Sequence, residues 1–124
     1  MRLVFKVICQ AEEKYKEFSN SNENKESRIL LKKFEFFKNN IQTNLTYGEI
    51  IKQNVLHKNR GLIEGFFQKY GYRELIPLDN CFCCDLTRTE WRMLYTIARD
   101  IKDNIVYILC FMIVDHKTYE KYFT

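Results

Sequence analysis

The C-terminal third of the chain carries the pattern that most constrains its fold. Residues 91–97 and 105–114 are two apolar runs typical of β-strands, and a short polar segment at 100–104 separates them. Residues 82–86 form an earlier run of the same kind, and a second short polar connection follows it. Connections this short join antiparallel neighbours, so the three runs predict an antiparallel β-meander.

The N-terminal part changes its periodicity after a first strand. Residues 2–9 alternate as a strand does, whereas residues 11–18 and 27–41 carry apolar side chains at helical spacing. The polar run at 19–24 predicts a loop between two helices, and Ser27 is placed to cap the second one. The clearest apolar stripe consists of Leu30, Phe34, Phe37 and Ile41. These features predict a strand followed by an αα-hairpin whose apolar side needs a sheet to cover it.

The middle of the chain gives weaker signals. Residues 45–48 predict a turn that leads into two isoleucines, and the polar residues 57–61 predict a basic loop. A short helix is predicted after that loop, with Gly71 as a suitable residue for its C-terminal end. The apolar residues that predict this helix are Leu62, Phe66 and Phe67.

The predicted elements follow the order β-α-α-β-β-β, with an irregular segment before the second strand. This order belongs to the α+β class, with the αα-hairpin packed on one face of an antiparallel sheet. A chain of 124 residues fits one domain, here residues 1–124, because about two-thirds of its unfolded surface can be buried at this size. With 46 % hydrophobic and 29 % charged residues, the composition excludes a disordered or low-complexity chain.

Charge and cysteine usage narrow the compartment and the partners. The net charge of +4 permits binding to phosphates without requiring it. Five cysteines, an odd number, favour a reducing cytoplasm over a disulfide-bonded secreted protein. The longest apolar run, residues 105–114, is about half of what a bilayer needs. Lys6 interrupts the apolar N-terminus, so a signal peptide is not expected. We therefore predict a cytoplasmic protein without membrane association.

Cys81 and Cys84 form a C-x-x-C motif at the entry of a predicted strand. A structural zinc site would need a second such pair, and a redox motif would be expected at the start of a helix. We expect buried or edge-strand thiols, with a metal or redox role as the minor alternative. No metal and no small-molecule cofactor are predicted.

The residues after the last predicted strand form a small chemically active cluster. His116 follows that strand directly and has a pKa range suited to proton transfer. Lys117, Tyr119, Lys121 and Tyr122 add cationic and aromatic groups next to it. A polar C-terminal tail without chemistry is the simpler explanation.

Arg92 is a further candidate, because it lies in an otherwise apolar strand. An unpaired buried guanidinium is costly, so an exposed concave face is expected there, and such a face would suit a phosphate. A salt bridge with Glu90 or Asp85 is the alternative. No glycine-rich phosphate loop, nucleophile elbow or H-E-x-x-H pattern is present in the sequence, which disfavours hydrolases, dehydrogenases and nucleoside-triphosphate enzymes.

Taken together, the C-terminal segments resemble the RelE/ParE superfamily, the small toxins of type II toxin–antitoxin systems. The resemblance rests on the segment WRMLYTI at 91–97, the apolar strand at 105–114 and the tail DHKTYEKYF at 115–123. Residues 69–71, Lys-Tyr-Gly, are similar to a segment of archaeal toxin-like members. The superfamily has the same β-α-α-β-β-β order, so the resemblance covers most of the chain.

The resemblance implies a metal-independent, ribosome-dependent endoribonuclease that cuts mRNA and inhibits translation. It implies three partners: a cognate antitoxin protein, the ribosome and mRNA. By position, Arg92 would stabilise the phosphate and Lys117 would be a second cation. Tyr122 or Phe123 would match the tail aromatic, and of these Tyr122 would stack on a base or move a proton. His116 would act as an acid or base.

One departure from the superfamily bears on activity. Active members often carry lysines on the strand before the arginine strand, but this chain has Cys83, Cys84 and Asp85, and Asp85 would repel a phosphate. Either the missing cation comes from elsewhere or nuclease activity is absent. The predicted additional RNA contacts are Arg88, Lys102, Tyr119 and Lys121.

The alternative function is a non-catalytic binding module of the same fold that contacts gyrase or another protein. The nuclease hypothesis predicts one positive groove, formed by Arg92, His116, Lys117 and Tyr122. The binding hypothesis predicts that these side chains are dispersed, or paired with Asp85, Glu90 and Glu120.

Overall fold

Five strands and five helices make up the described part of the protein. The computed structural model describes residues 1–21, 23–70, 77–88 and 90–124. The strands are β1 (Arg2–Val7), β2 (Glu49–Ile50), β3 (Cys81–Asp85), β4 (Trp91–Asp100) and β5 (Ile105–Asp115). The helices are α1 (Cys9–Asn20), α2 (Lys25–Thr43), α3 (Gln53–Lys58), α4 (Arg60–Lys69) and α5 (His116–Phe123).

The sheet has the order β1-β5-β4-β3-β2 and mixes two pairing directions. β4 is antiparallel to both β3 and β5, which confirms the meander. β1 instead runs parallel to β5, with Arg2 opposite Ile105 and Val7 opposite Cys110. The prediction of a purely antiparallel sheet is therefore wrong at this edge. Alternation of apolar and polar residues identifies a strand, but it does not predict whether the strand pairs in a parallel or antiparallel direction with a partner far along the chain.

Helices α1 and α2 pack on one face of the sheet. Their side chains in this core are Ala11, Phe18, Leu30, Phe34 and Ile41. The predicted stripe of α2 is confirmed, except that Phe37 is only partly buried. α2 begins before Ser27, because Asn24 is its cap and accepts a 2.8 Å hydrogen bond from the backbone N–H of Glu26. Neither α2 nor any other described helix is long and apolar enough to cross a bilayer.

Helices α3, α4 and α5 cover the other face. Their contribution to this second core is Leu56, Ile63, Phe66, Phe67 and Phe123. The sheet contributes Cys81, Cys83, Leu94, Phe111, Met112 and Val114. Ile63, and not the predicted Leu62, is the buried residue of the first turns of α4, since Leu62 is 50 % exposed.

Two predictions for this second face are wrong or incomplete, and a third falls on residues that the structure does not describe. The predicted basic loop at 57–61 is the junction of α3 and α4, separated only by the buried Asn59. Asn59 donates a hydrogen bond to the backbone oxygen of Thr124 (3.3 Å). The segments on both sides of it are helical because each has apolar residues that pack into the second core. The C-terminal tail is the helix α5, which the β-α-α-β-β-β order omitted. Gly71, the predicted helix end, lies outside the described residues.

The cysteines behave as buried apolar residues. All five are free and buried. Successive side chains of a strand point to opposite faces, so Cys81 joins the α3–α5 core while Cys84 joins the α1–α2 core. Burial raises the pKa of both thiols to about 12. The C-x-x-C motif therefore cannot hold one metal ion, and no cluster of three or more metal-binding side chains occurs among the described residues.

Candidate functional site

An open pocket beside Arg92 brings together side chains from β2, β3, β4, α5 and the beginning of α3. Its volume is about 240 Å³. The charged and hydroxyl-bearing side chains in its wall are Glu49, Lys52, Asp85, Arg92 and Tyr119. Ile51, Val55, Cys83 and Phe123 belong to its apolar part. The pocket thus has an apolar base and a charged rim on the α3–α5 face of the sheet.

Two local features place the side chains at this pocket. Asp85 and Arg92 are direct partners in the β3–β4 register, so their side chains project from the same face. α5 then begins immediately after β5, with Asp115 as its cap, and the Asp115 carboxylate accepts a 2.8 Å hydrogen bond from the backbone N–H of Thr118. Hydrogen bonding to Thr118 lowers the pKa of Asp115. This cap starts the helix whose second turn brings Tyr119 over Arg92.

Arg92 is both ion-paired and stacked. Its Nε lies 3.1 Å from Oδ1 of Asp85, and its Cζ lies 4.2 Å from the ring centroid of Tyr119. The Arg92 side chain is 23 % exposed and that of Asp85 is 61 % exposed. The salt bridge expected as the alternative for Arg92 is therefore present. No hydrogen bond joins the terminal Nη groups of Arg92 to another described residue, which leaves these donors available to an anion.

The charges in the pocket wall balance. Glu49 and Asp85 oppose Lys52 and Arg92, so the lining has no net formal charge. A groove built only to attract a polyanion would carry an excess of cations. The positive groove of the nuclease hypothesis is therefore replaced by a neutral pocket that contains acidic and cationic groups side by side.

Tyr119 is held between cationic and aromatic neighbours. Its ring lies nearly parallel to that of Phe123, with a centroid distance of 5.4 Å and an angle of 25°. Burial raises the pKa of Tyr119 to about 12, and Arg92 acts in the opposite direction. The phenol therefore stays neutral throughout the physiological range.

The other residues of the predicted C-terminal cluster do not line the pocket. His116 Nε2 lies 2.8 Å from Oε1 of Glu120, as one alternative for this cluster predicted. Lys117 is exposed on the first turn of α5. Tyr122 is partly buried, and its ring centroid is 5.3 Å from that of Phe66 in α4.

The predicted RNA contacts are spread over the surface. Arg88 is exposed in the β3–β4 connection. Lys121 lies on α5, and its Nζ is 5.4 Å from the ring centroid of Tyr122. Lys102 lies in the turn that follows the C-terminal end of β4, whereas Arg92 lies near the N-terminal end of that strand. At about 3.3 Å per residue, that turn is roughly 26 Å or more from Arg92 along the strand. Of the eight predicted residues, only Arg92 and Tyr119 line the pocket.

Glu49 and Lys52 are pocket residues that the sequence analysis missed. Glu49 is opposite Cys83 in the short β2–β3 pair, and Lys52 precedes the first turn of α3. A two-residue strand has no readable alternation, and its register depends on contacts made far along the chain. The turn expected at 45–48 was the one signal that pointed to this region.

No family model, no curated protein and no solved structure matches this chain. The chemistry of the pocket therefore follows from its own groups. A guanidinium and an ammonium can bind a phosphodiester, and a carboxylate beside them can accept a proton. Together with the apolar base, these groups suit a ligand that carries a phosphate and a flat or apolar moiety.

Proposed function

We propose that this chain is a cytoplasmic toxin of the RelE/ParE type, a metal-independent endoribonuclease that cuts mRNA on the ribosome. A cognate antitoxin protein holds it inactive. The observation that carries this proposal is the pocket in which Arg92 of β4 lies between Asp85 and Tyr119. The helices α1 and α2 between β1 and the meander support a RelE-like arrangement.

The reaction needs a base, a cation and an acid around one phosphodiester. The 2′-oxygen of RNA bonds to the adjacent phosphorus, the bond from phosphorus to the 5′-oxygen breaks, and a 2′,3′-cyclic phosphate forms. The Asp85 carboxylate accepts the proton of the 2′-hydroxyl, and the Lys52 ammonium gives a proton to the leaving 5′-oxygen. The Arg92 guanidinium balances the charge that develops on the phosphorane oxygens.

The remaining residues of the C-terminal cluster have roles outside the pocket in this proposal. Lys117 and Lys121 lie on the exposed side of α5, where their charges favour the RNA backbone on either side of the cut. His116 is a second proton carrier once Glu120 releases it, and Tyr122 is a stacking surface next to Phe66 of α4. Arg88 is a further exposed cation, in the β3–β4 connection.

A second candidate is a binding module of the same fold without nuclease activity. Two side-chain contacts favour it: Asp85 neutralises Arg92, and the Glu120 carboxylate lies against the imidazole of His116. A partner protein with its own charged groups would fit a pocket of balanced charge better than a polyanion does.

Inducible expression in cells that lack an antitoxin tests both candidates. We expect the wild-type chain to arrest growth and Arg92→Ala to relieve the arrest. Arg99→Ala is the matched control, because Arg99 is an exposed arginine of the same strand that lies outside this pocket. Mapping of mRNA ends in arrested cells then separates the candidates. Cuts spaced by codons support the nuclease, intact message during arrest supports the binding module, and harmless wild-type expression contradicts the toxin assignment.

A further inference from the structure

We propose that Tyr119 is a positioning residue, whose ring holds the Arg92 guanidinium in its working orientation by cation–π stacking. Phe123 in turn holds the ring of Tyr119. The orientation of Arg92 is a statement about geometry alone, whereas its use on RNA depends on the proposed function. Tyr119 was predicted as a direct RNA contact; here its effect on RNA is indirect and passes through Arg92.

The distances support a specific stack. The 4.2 Å between Cζ of Arg92 and the centroid of Tyr119 lies well inside the limit of about 6 Å for a cation–π contact. Arginine is the cation that stacks best on an aromatic plane, because its guanidinium is flat and weakly hydrated. Asp85 reaches Nε from the neighbouring strand, so the ring and the carboxylate restrict the same group from two elements.

Tyr119 itself is fixed from behind. Phe123 is 4 % exposed and belongs to the α3–α5 core, and it stands one helical turn after Tyr119 on α5. The near-parallel contact of the two rings transmits this anchoring to the pocket. A buried residue therefore supports the ring that supports the arginine.

The hydroxyl group of Tyr119 is not needed for this role. It makes no hydrogen bond to another described residue, unlike the hydroxyl of Tyr95, which has two backbone partners. Nor is the ring free to stack on a nucleobase, because the guanidinium lies over one of its faces and Phe123 stacks on the ring as well. The ring alone therefore carries the function, which gives a conservative variant, Tyr119→Phe, and a disruptive one, Tyr119→Leu.

The test measures how firmly Arg92 is held and the binding of RNA separately. Nuclear magnetic resonance reports the mobility of the Arg92 side chain through the heteronuclear ¹H–¹⁵N Overhauser effect of its Nε–Hε group. Fluorescence anisotropy reports the affinity of the purified protein for a short single-stranded RNA with 2′-O-methyl groups, which cannot be cleaved. Tyr107→Leu is the matched control, since it removes another cation–π ring, 4.7 Å from the Nζ of Lys6 on the β1–β5 pair.

We expect Tyr119→Phe to keep the wild-type Overhauser effect at Arg92 Nε and to bind RNA within about twofold of the wild type. Tyr119→Leu should lower that Overhauser effect and bind RNA about tenfold more weakly, while Tyr107→Leu changes neither. Tyr119→Met repeats the test with a longer apolar side chain in case Tyr119→Leu does not fold. A folded Leu or Met variant with an unchanged Overhauser effect at Arg92 Nε would overturn the proposal, as would a lowered effect in Tyr119→Phe.

The same data distinguish this proposal from the proposed function. If the wild-type chain binds no RNA and arrests no growth, but the rigidity of the Arg92 side chain still depends on the ring at position 119, the function fails and the positioning role stands. If the chain arrests growth and the rigidity of Arg92 is independent of Tyr119, the positioning role fails and the function stands.

Discussion

The two faces of the sheet differ in what they do with polar groups. The α1–α2 face contains Tyr95, whose fully buried hydroxyl accepts from the N–H of Gly48 (3.0 Å) and donates to the oxygen of Leu45 (2.8 Å). The α3–α5 face contains Tyr119, which has no such partner and stacks on Arg92 beside an open pocket. Burial raises the pKa of both phenols to about 12, so the same chemical group serves structure on one face and a site on the other. The difference teaches that unused donors and balanced charges, and not the residue type, distinguish the face that carries the candidate site.

The largest expected effect concerns the site. Asp85→Asn replaces the proposed base by an amide of the same shape that cannot accept a proton. We expect cleavage of mRNA by the purified protein on ribosomes to fall by about 10²- to 10⁴-fold, while affinity for RNA stays equal or increases because a negative charge is lost. Glu64→Gln, on the outer surface of α4, is the control and should leave cleavage unchanged. Normal cleavage by Asp85→Asn would remove the carboxylate from the mechanism.

The α1–α2 face should respond to a core deletion with a loss of stability. Phe34 is 3 % exposed and packs between Phe5 and Tyr15, so Phe34→Ala should lower the free energy of unfolding by about 3–5 kcal/mol. Phe36 lies on the same helix but is 53 % exposed, and Phe36→Ala should change the free energy of unfolding by less than about 0.5 kcal/mol. Urea denaturation measures both. Equal losses in the two variants would contradict the assignment of the inner side of α2.

The comparison of the two tyrosines can be tested directly. Tyr95→Phe leaves the N–H of Gly48 and the oxygen of Leu45 without their partner and should cost about 1–3 kcal/mol of stability. Tyr119→Phe removes a hydroxyl with no described partner and should cost close to nothing. Thermal denaturation of the two variants side by side measures the difference. A larger loss for Tyr119→Phe would reverse the roles that we give to the two faces.

The smallest effect concerns the cap of α5 and its pH dependence. The pKa of Asp115 is lowered from its ordinary value of 3.8 by its hydrogen bonds to Thr118, so the folded state favours the ionised form. The cap therefore contributes its full stability above about pH 4, and this contribution is lost as the pH falls through the lowered pKa of the folded state. Asp115→Ala should cost about 1 kcal/mol at pH 7.

Asp115→Asn is the control for this pH dependence. It can still cap the helix through its side-chain oxygen, and its stability should be less sensitive to pH between 2 and 5. Urea denaturation across that range measures the difference. Parallel curves for the wild type and Asp115→Asn would show that the carboxylate does not titrate differently in the folded state.

The sequence allowed prediction of the elements that have a strong local period. The strands around the turn at 101–104 and the apolar stripe of α2 follow from alternation, helical spacing and short connections. The parallel β1–β5 pair did not follow, because strand direction at this edge is decided by contacts between the two ends of the described chain. α3 and the start of α4 were missed since their polar surface residues, including His57 and Lys58, outnumber the few buried ones in that stretch.

The candidate site was predictable only in part, for a similar reason. Arg92 stood out because a charged residue in an apolar strand is locally visible. Glu49 and Lys52 are ordinary surface residues in the sequence, and only the pairing of β2 with β3 brings them to the pocket. The stack of Tyr119 on Arg92 likewise depends on α5, which was expected only as a polar tail.

The parallel pairing of β1 with β5 also has a kinetic consequence. Arg2 pairs with Ile105, so formation of this edge closes a loop that contains most of the chain. Contacts of such long sequence separation carry a large loop-closure entropy and slow the folding of small proteins. During synthesis, residues 2–7 leave the ribosome long before residues 105–115, so the native pairing of β1 can form only after β5 has emerged.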